Sequence, residues 1–561
     1  MTIKFCCQSS SLDIFEATAT KFKSDSIAYE SEDFSFRTCG IFLNEKESLE
    51  RFKCTSLVEL FQNLYEQNIP VPTVLNGTYV CVIYHKKDNT LHIYNDLLSK
   101  HSLFYYYDES SNCVLCSDSF FETLQLVKDE KLPVTIDELG VKMMLWHRMF
   151  YDNITYVREI KFLRPFEYLT VENGNLNVHM LERQPQIDIS QEEAAQKIHE
   201  LFGKAVRLQY QKNEQNGYPQ TTTLSGGMDS RSTFLYGLSN GYTQQTCYSY
   251  GESTSADIEI AMKLAIRNKC KFFVHTIDNG KFLLERDGIC SANEGQMVYS
   301  GPSGTFDSLS FFNTSHMGIV HTGLGGGEIM GDMRVSDNPT RYEKFINQLK
   351  YRFGKGKKDN TWGSLFSSLR LNEEEKERLE RRKGLYHDFC EFQNLNDMRR
   401  CLNSQKIAKS FKVEYVSPFL YEEFFCYLLR IPFELTKKRR LYLYWQKKYN
   451  PGQFETPSTF MLGCKPGQTM RYYIKRFTKG VLNKLGRKTK YDMNPMEFWL
   501  AQNPTIAVEQ EKMFESDMAA IKGIVNPQLY KLIEESWKSN AAPHTNILTA
   551  TWALKKIANG Q

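Results

Sequence analysis

Residues Thr221 to Leu238 read TTTLSGGMDSRSTFLYGL. Four residues able to form a strand run into Gly226 and Gly227, then into Asp229 and Ser230, and an apolar-periodic stretch follows that predicts a helix. At a strand-to-helix turn, paired glycines let the backbone approach a ligand closely. The helix behind them points unpaired N–H groups and its positive dipole end at the same spot. Leu224, Ser225, Gly226, Gly227 and Ser230 therefore outline a phosphate pocket, with two hydroxyls as donors. Asp229 would repel phosphate directly, so its useful role is to hold a Mg²⁺ ion that bridges phosphates. The loop has no lysine and is not a Walker A loop.

The elements around this loop divide the chain. Before residue 185, short β-branched and aromatic runs such as GTYVCVIYH (Gly77–His85), TLHIYND (Thr90–Asp96) and CVLCSD (Cys113–Asp118) follow at hairpin intervals. Asn173-Gly174 between alternating runs predicts a type I′ hairpin. From Ser190, a predicted N-cap, strands and helices alternate, which argues for a parallel sheet covered on both faces. Residues 340 to 450 read as helical, and the charge run NEEEKERLERRK within them reads as a solvated helix face.

Bulk composition narrows the function classes. With 561 residues, 41% hydrophobic and 24% charged, the chain is globular, and about two to four domains are expected. A net charge of +4 does not point to nucleic acid. No apolar stretch is long enough to span a membrane and no leader is visible, so a cytoplasmic protein is expected. The fourteen cysteines include Cys6-Cys7 and Cys113-x-x-Cys116 but no four-ligand zinc set, and they read as reduced, partly buried thiols.

SGGMDS resembles the pyrophosphate-binding loop of the asparagine synthetase superfamily, and other segments follow in that family's order. YSYGESTSADIEIAMKLA resembles the second strand and helix, where backbone around Tyr250 and Gly251 would cradle adenine. HTGLGGGEIMGD (His321–Asp332), with Gly323 and Glu328, resembles the family's second glycine loop, and VEYVSPFLYEEFFCYLLRIP (Val413–Pro432) its acid-x-R-x-PFLD segment. LNGTYVCVIY through VLCSDSF is similar to the glutaminase half of the same enzymes. The resemblance spans residues 55 to 455. It implies an α/β chain: an N-terminal α+β Ntn-hydrolase-like sandwich over 1–185, a PP-loop parallel-sheet domain over 190–455, and helical additions over 456–561. It implies ATP and Mg²⁺ as ligands, the metal on Asp229 and Glu328, and a carboxylate activated as an acyl-adenylate for attack by ammonia or an amine. The substrate would be a small-molecule, sugar-acid or peptide carboxylate, with an ammonia-supplying or substrate-carrying protein as a further partner. An intramolecular cyclase and a non-catalytic nucleotide-binding scaffold are the alternative readings.

Several positions depart from the family. The chain starts Met-Thr-Ile rather than Met-Cys-Gly, Ser56 stands where an acid is expected, and the glutamine-binding stretches are not found, which implies a glutaminase fold without its activity. Thr2 is a conceivable terminal nucleophile after processing. Gly327 stands in place of the second metal aspartate, with Glu328 beside it; Leu324 and Tyr421 replace polar family residues. Arg440 aligns with the lysine that stabilises the adenylate, Lys437 and Lys438 are close enough to substitute, and Glu414 matches the family's acid as base or orienting group. Finally, Arg471 to Lys490 hold eight lysines and arginines and no acid. That segment reads first as a solvated helix covering the nucleotide domain, with an anionic substrate, a membrane surface or RNA as alternatives.

Overall fold

The computed structural model describes residues 1–6, 11–15, 21–301, 303–332, 365, 367–387, 389–459, 461–465, 468–485 and 487–559. Residues 340–364 of the 340–450 stretch expected to be helical lie outside them.

Period-two patterning in the N-terminal region produces strands β1 (Thr2–Cys6), β2 (Ser11–Phe15), β3 (Ala28–Glu30), β4 (Phe34–Phe42), β5 (Gly77–His85) and β6 (Thr90–Asn95). They are followed by β7 (Phe104–Asp108), β8 (Cys113–Ser117), β9 (Lys161–Phe162), β10 (Glu167–Glu172) and β11 (Asn175–Met180). They form two antiparallel sheets, ordered β2-β1-β8-β7-β9 and β11-β10-β6-β5-β4-β3. β5 shows how the layers arise. Val80, Val82 and Tyr84 join Ile3, Phe5 and Val114 of the facing sheet in one core. Tyr79, Cys81 and Ile83 point the other way, onto Leu60, Phe61 and Leu64 of the helix Leu57–Glu66. Ser56 caps that helix, accepting from the Glu59 amide. The Asn173-Gly174 turn has both residues at positive φ, 50° and 85°, and closes Glu172 on Asn175 as a I′ hairpin requires.

One cysteine expectation is corrected. Cys113 is disulfide-bonded, whereas ten of the other cysteines are free thiols. Antiparallel pairing of β1 with β8 puts Cys6 directly opposite Cys113, a juxtaposition invisible at their distance in sequence.

Ser190 and Glu193 form a full capping box at the start of the helix Gln191–Gln215. Beyond it lie β12 (Gln220–Thr223), β13 (Gln245–Gly251), β14 (Lys271–Thr276), β15 (Ile319–His321) and β16 (Glu414–Val416), all parallel and ordered β14-β13-β12-β15-β16. Cys247 and Tyr248 of β13 point to opposite faces. Cys247 packs with Phe234 and Ala261 of the helices Met228–Ser239 and Ala256–Arg267. Tyr248 packs with Leu309 and Ala408 of Ser303–Phe311 and Phe389–Ser410. Strand order reverses between β12 and β15. Connections from these neighbours leave in opposite directions, which opens a crevice at their carboxyl ends.

The charge run is solvated on one face, as expected, and docked on the other. Its helix, Glu373–Lys383, is capped by Asn372 and Glu375; Glu373, Glu374, Lys376 and Arg381 are exposed, but three other charges are not. Glu375 and Lys142 pair while buried, at 2.7 Å; Arg378 reaches Asp137 at 2.6 Å, and Arg382 clamps Asp152. Residues 375, 378, 379 and 382 share one helix face, so Leu379 and the three charges dock together. Burial would push the Asp152 carboxyl up, but Arg382 and Arg164 hold it below the usual carboxylate range. Removing one member of a buried pair strands the other charge. Glu375→Ala is expected to lower stability by ~3–5 kcal/mol, read as a fall in thermal midpoint. A midpoint within one degree or so of wild type would show that Lys142 finds water instead.

Candidate functional site

The TTTLSGGMDS stretch folds as its residue types require. β12 ends at Thr223, the loop crosses Leu224–Gly227, and the helix begins at Met228 with Gly227 as a side-chain-free N-cap. Ser225 Oγ lies 2.9 Å from Ser230 Oγ and accepts from the Gly227 amide at 3.2 Å, so the loop is held open around its own hydroxyls. Two glycines are fixed by close approach. A Cβ on Gly323 would stand 2.3 Å from the Ser230 nitrogen, and one on Gly326 would stand 2.7 Å from Asp229 Cγ. The loop after β15 therefore lies directly against the loop after β12.

Between these loops is a cavity of about 440 Å³, ordinary for a small-molecule site. Leu224, Ser225, Asp229, Ser230, Tyr250, Gly323 and Glu328 all line it. Gly226 and Gly227 form the adjoining turn, and Gly251 backs onto Met493, another lining residue. Sequence reasoning missed several walls: Tyr248, Met297, Cys401, Tyr415 and Met493.

The charges of the site centre on Asp229. Burial pushes its carboxyl above the usual range, and Glu328 adds to the rise; Arg439 and a 2.7 Å hydrogen bond from Tyr442 Oη oppose it. Arg439 is the cation with the larger pull on Asp229, and the buried Arg231 adds to it. Arg439 is itself buried, sits at φ +60°, and its guanidinium lies 5.7 Å from the Tyr442 ring centre. Arg440, singled out from sequence, is exposed on the helix Arg440–Tyr449. Helical phase was the usable signal: Tyr442 and Gln446 are buried, and position 439 shares their face. Lys438 lies in the short 3₁₀ turn Lys437–Arg439, and its side chain falls outside the described residues.

Glu414 does not line the cavity. Tyr415 does, and alternation along β16 turns Glu414 to the other face, where Lys409, Asp25 and Lys21 are its charged neighbours and burial raises its carboxyl. Lys409 also approaches His101 Nδ1 at 3.0 Å, and His101 Nε2 meets Asp118 at 2.8 Å. Cys39, His101 and Asp118 bring ligand-type atoms within 4.8 Å of one another. The trio is already electrically satisfied. The Met1 amine donates to Asp118 at 2.8 Å; His101 is lowered to about 4 by burial and Lys409, and so is neutral. Thr2 is buried, its hydroxyl donating to Glu122 at 2.7 Å and lying 3.2 Å from Ser117 Oγ.

Comparison with known proteins places this arrangement. Residues 197–551 match the family described as asparagine synthase, and residues 24–182 match a glutamine amidotransferase domain. This chain belongs to the asparagine synthase family. The two matches together are the architecture of the asparagine synthetase superfamily with its N-terminal glutaminase-like domain. Membership supports an ATP-dependent, amide-ligase type of enzyme. No curated protein matches the chain. Among solved structures, an allosteric regulatory enzyme of purine biosynthesis aligns at 8% identity and a TM-score of 0.20, over 45% of this chain and 61% of that one, a likeness too weak to speak to fold or function. Among the described residues, no helix is long and apolar enough to cross a membrane.

The asparagine synthase site fits the ligands usual for this domain. Its backbone cradle has no room for a Cβ at Gly323 or Gly326, and its donor set of two carboxylates and two serine hydroxyls is the all-oxygen kind that suits Mg²⁺. A carboxyl whose folded value is raised costs stability once it must ionise. The Asp229 contribution is fully present below the unfolded value near 3.8 and is lost as pH rises through the raised folded value. Asp229→Asn should therefore raise the thermal midpoint of the nucleotide-free protein at pH 7, lose that advantage below about pH 4, and abolish Mg²⁺-dependent nucleotide binding. A variant that is destabilised at pH 7 would contradict this account.

Proposed function

We propose that the protein is an ATP-dependent, AMP-forming amide-bond ligase without glutaminase activity of its own. The observation that carries this reading is the cavity at the β12/β15 crossover, where the Ser225–Ser230 loop, Asp229 and Glu328 converge, with the buried Arg439 acting on Asp229 from behind. In this reading the domains are an Ntn-hydrolase-like layer over 1–185, a PP-loop sheet over 190–455 and helical additions over 456–561.

In this reading the Ser225 and Ser230 hydroxyls and the amides of the Met228 turn bind the β- and γ-phosphates, and Tyr250 and Gly251 border the adenine. Asp229 and Glu328 hold Mg²⁺, which supplies charge neutralisation for the departing pyrophosphate. A substrate carboxylate oxygen forms a bond to the α-phosphorus, and the bond to the β-phosphate oxygen breaks with its electron pair. Ammonia or an amine then bonds to the acyl carbon, loses a proton, and AMP leaves. Arg439 is the cation best placed to balance charge during these steps, with Lys438 and Arg440 as the neighbouring alternatives. Tyr248, Tyr250 and Tyr415 narrow the cavity and limit water around the activated acyl group. The carboxylate is that of a small molecule, a sugar acid or a peptide.

Loss of glutaminase activity is supported by the surroundings of the hydroxyl and thiol that could act. Thr2 is committed to Ser117 and Glu122, and burial with Asp118 pushes the Cys39 thiol up, away from the reactive thiolate. Carboxylate-dependent ATP–pyrophosphate exchange tests the reading. Arg439→Ala is expected to lower exchange by about 100-fold, and Arg440→Ala by less than about threefold. Ammonia should support amide formation and glutamine should not. Exchange lost on Arg440→Ala but kept on Arg439→Ala would reassign the cation.

A further inference from the structure

The basic segment folds as the helix Thr469–Lys484. Its apolar side chains do not cover the nucleotide domain. Met470 is 79% exposed, Ile474 63%, Phe477 63% and Val481 40%, and Leu485, just beyond the helix end, is 68% exposed. At ~100° per residue these five fall within an arc of ~80°. The body-facing side is the opposite one. Lys479 is buried and pairs with Asp492, and Lys475 donates to the Leu462 carbonyl at 3.0 Å. Helical phase places Lys479 ~160° from the centre of the apolar stripe. The stripe thus points outward by construction rather than by poor packing.

What would cover it is indicated by charge. Between Glu455 and Asp492 the sequence has nine lysines and arginines and no acid. Arg471 is exposed on the helix, Arg487 and Lys490 are exposed just beyond its end, and Tyr472 packs beneath Arg476. A second copy docked by two-fold symmetry would bring two such acid-free segments together, which like-charge repulsion opposes. A helix with an apolar stripe and a cationic surround instead matches the interface of an anionic bilayer. There the stripe enters the acyl boundary and the cations meet headgroup phosphates. We propose that this helix docks the protein peripherally on an anionic membrane surface. Of the readings the sequence left open for this segment, this proposal favours the membrane surface, and it stands whatever the carboxylate substrate proves to be.

Vesicle flotation with the full chain tests it. Wild type should bind vesicles containing about 30 mol% phosphatidylglycerol at least about tenfold more than phosphatidylcholine vesicles, and about 0.5 M salt should weaken that binding. Ile474→Asp with Leu485→Asp should lose binding about tenfold or more, while Ile266→Asp, at an exposed apolar residue elsewhere, should not. Arg471→Glu with Arg487→Glu gives a second arm that leaves the apolar stripe intact and should also lose binding. Absence of wild-type binding to anionic vesicles, or unchanged binding in the aspartate pair, overturns the proposal. So does a wild-type dimer that the aspartate pair makes monomeric, or retention on RNA, if either occurs without vesicle binding.

Discussion

Everything at the candidate site depends on two loops lying closer together than side chains permit. Gly323 and Gly326 face Ser230 and Asp229 at separations that no Cβ could occupy. The sheet order makes this contact unavoidable, because β12 and β15 are hydrogen-bonded neighbours whose chains depart in opposite directions at the same end. One loop is drawn over the other at the mouth of the crevice. Backbone N–H groups and the Ser225 and Ser230 hydroxyls then face a ligand alongside the Asp229 carboxylate, a surface suited to an anion that arrives with a cation.

A buried acid among such donors is a poor choice for stability. Asp229 is raised by burial and by Glu328, and it is moderated by Arg439 and Tyr442. An apolar residue would fold more comfortably there. The arrangement makes sense if charge is delivered to the cavity by a ligand that needs cations and carboxylates on opposite sides. Arg439 acts on Asp229 from a backbone at φ +60°, at the break between the 3₁₀ turn and the helix Arg440–Tyr449. A non-glycine residue held in that conformation costs about 1 kcal/mol or more. It is overdetermined here by burial of the side chain against Tyr442.

The loop, its flanking strand and helix, the Ser190 cap and the Asn173-Gly174 hairpin were legible in the sequence because each is a local signal. The parallel sheet was legible as alternation, though its strand order was not. What could not be read were the tertiary choices. Arg439 rather than Arg440 sits beside Asp229, a choice that the buried phase of Tyr442 and Gln446 signals but that no local rule ties to a residue so far back in the chain. Glu414 turns away because Val413 and Tyr415 hold the other face of β16; the alternation was visible, but family alignment outweighed it. The docked face of Glu373–Lys383 was not legible because Lys142, Asp137 and Asp152, the partners of Glu375, Arg378 and Arg382, lie more than two hundred positions earlier. Cys113 was read as a thiol for the same reason.

The basic helix is also tied to the nucleotide loops at both ends. On its N-terminal side, the Thr459 amide donates to the Gly226 carbonyl at 3.0 Å and its hydroxyl to Asp257 at 2.8 Å. On its C-terminal side, the Ala256 amide donates to the Lys490 carbonyl, the Glu252 amide to the Met493 carbonyl, and Glu252 itself is gripped by Lys488 and Trp499. The helix is therefore a staple whose two feet stand on the turns after β12 and β13, and Met493 of the second foot lines the cavity. A surface that takes up the apolar stripe holds the cavity at a fixed distance and orientation. It also restrains the segments that fix Gly226 and Glu252 in place. The segment that carries the apolar stripe and the walls of the cavity are thus joined through the same few hydrogen bonds.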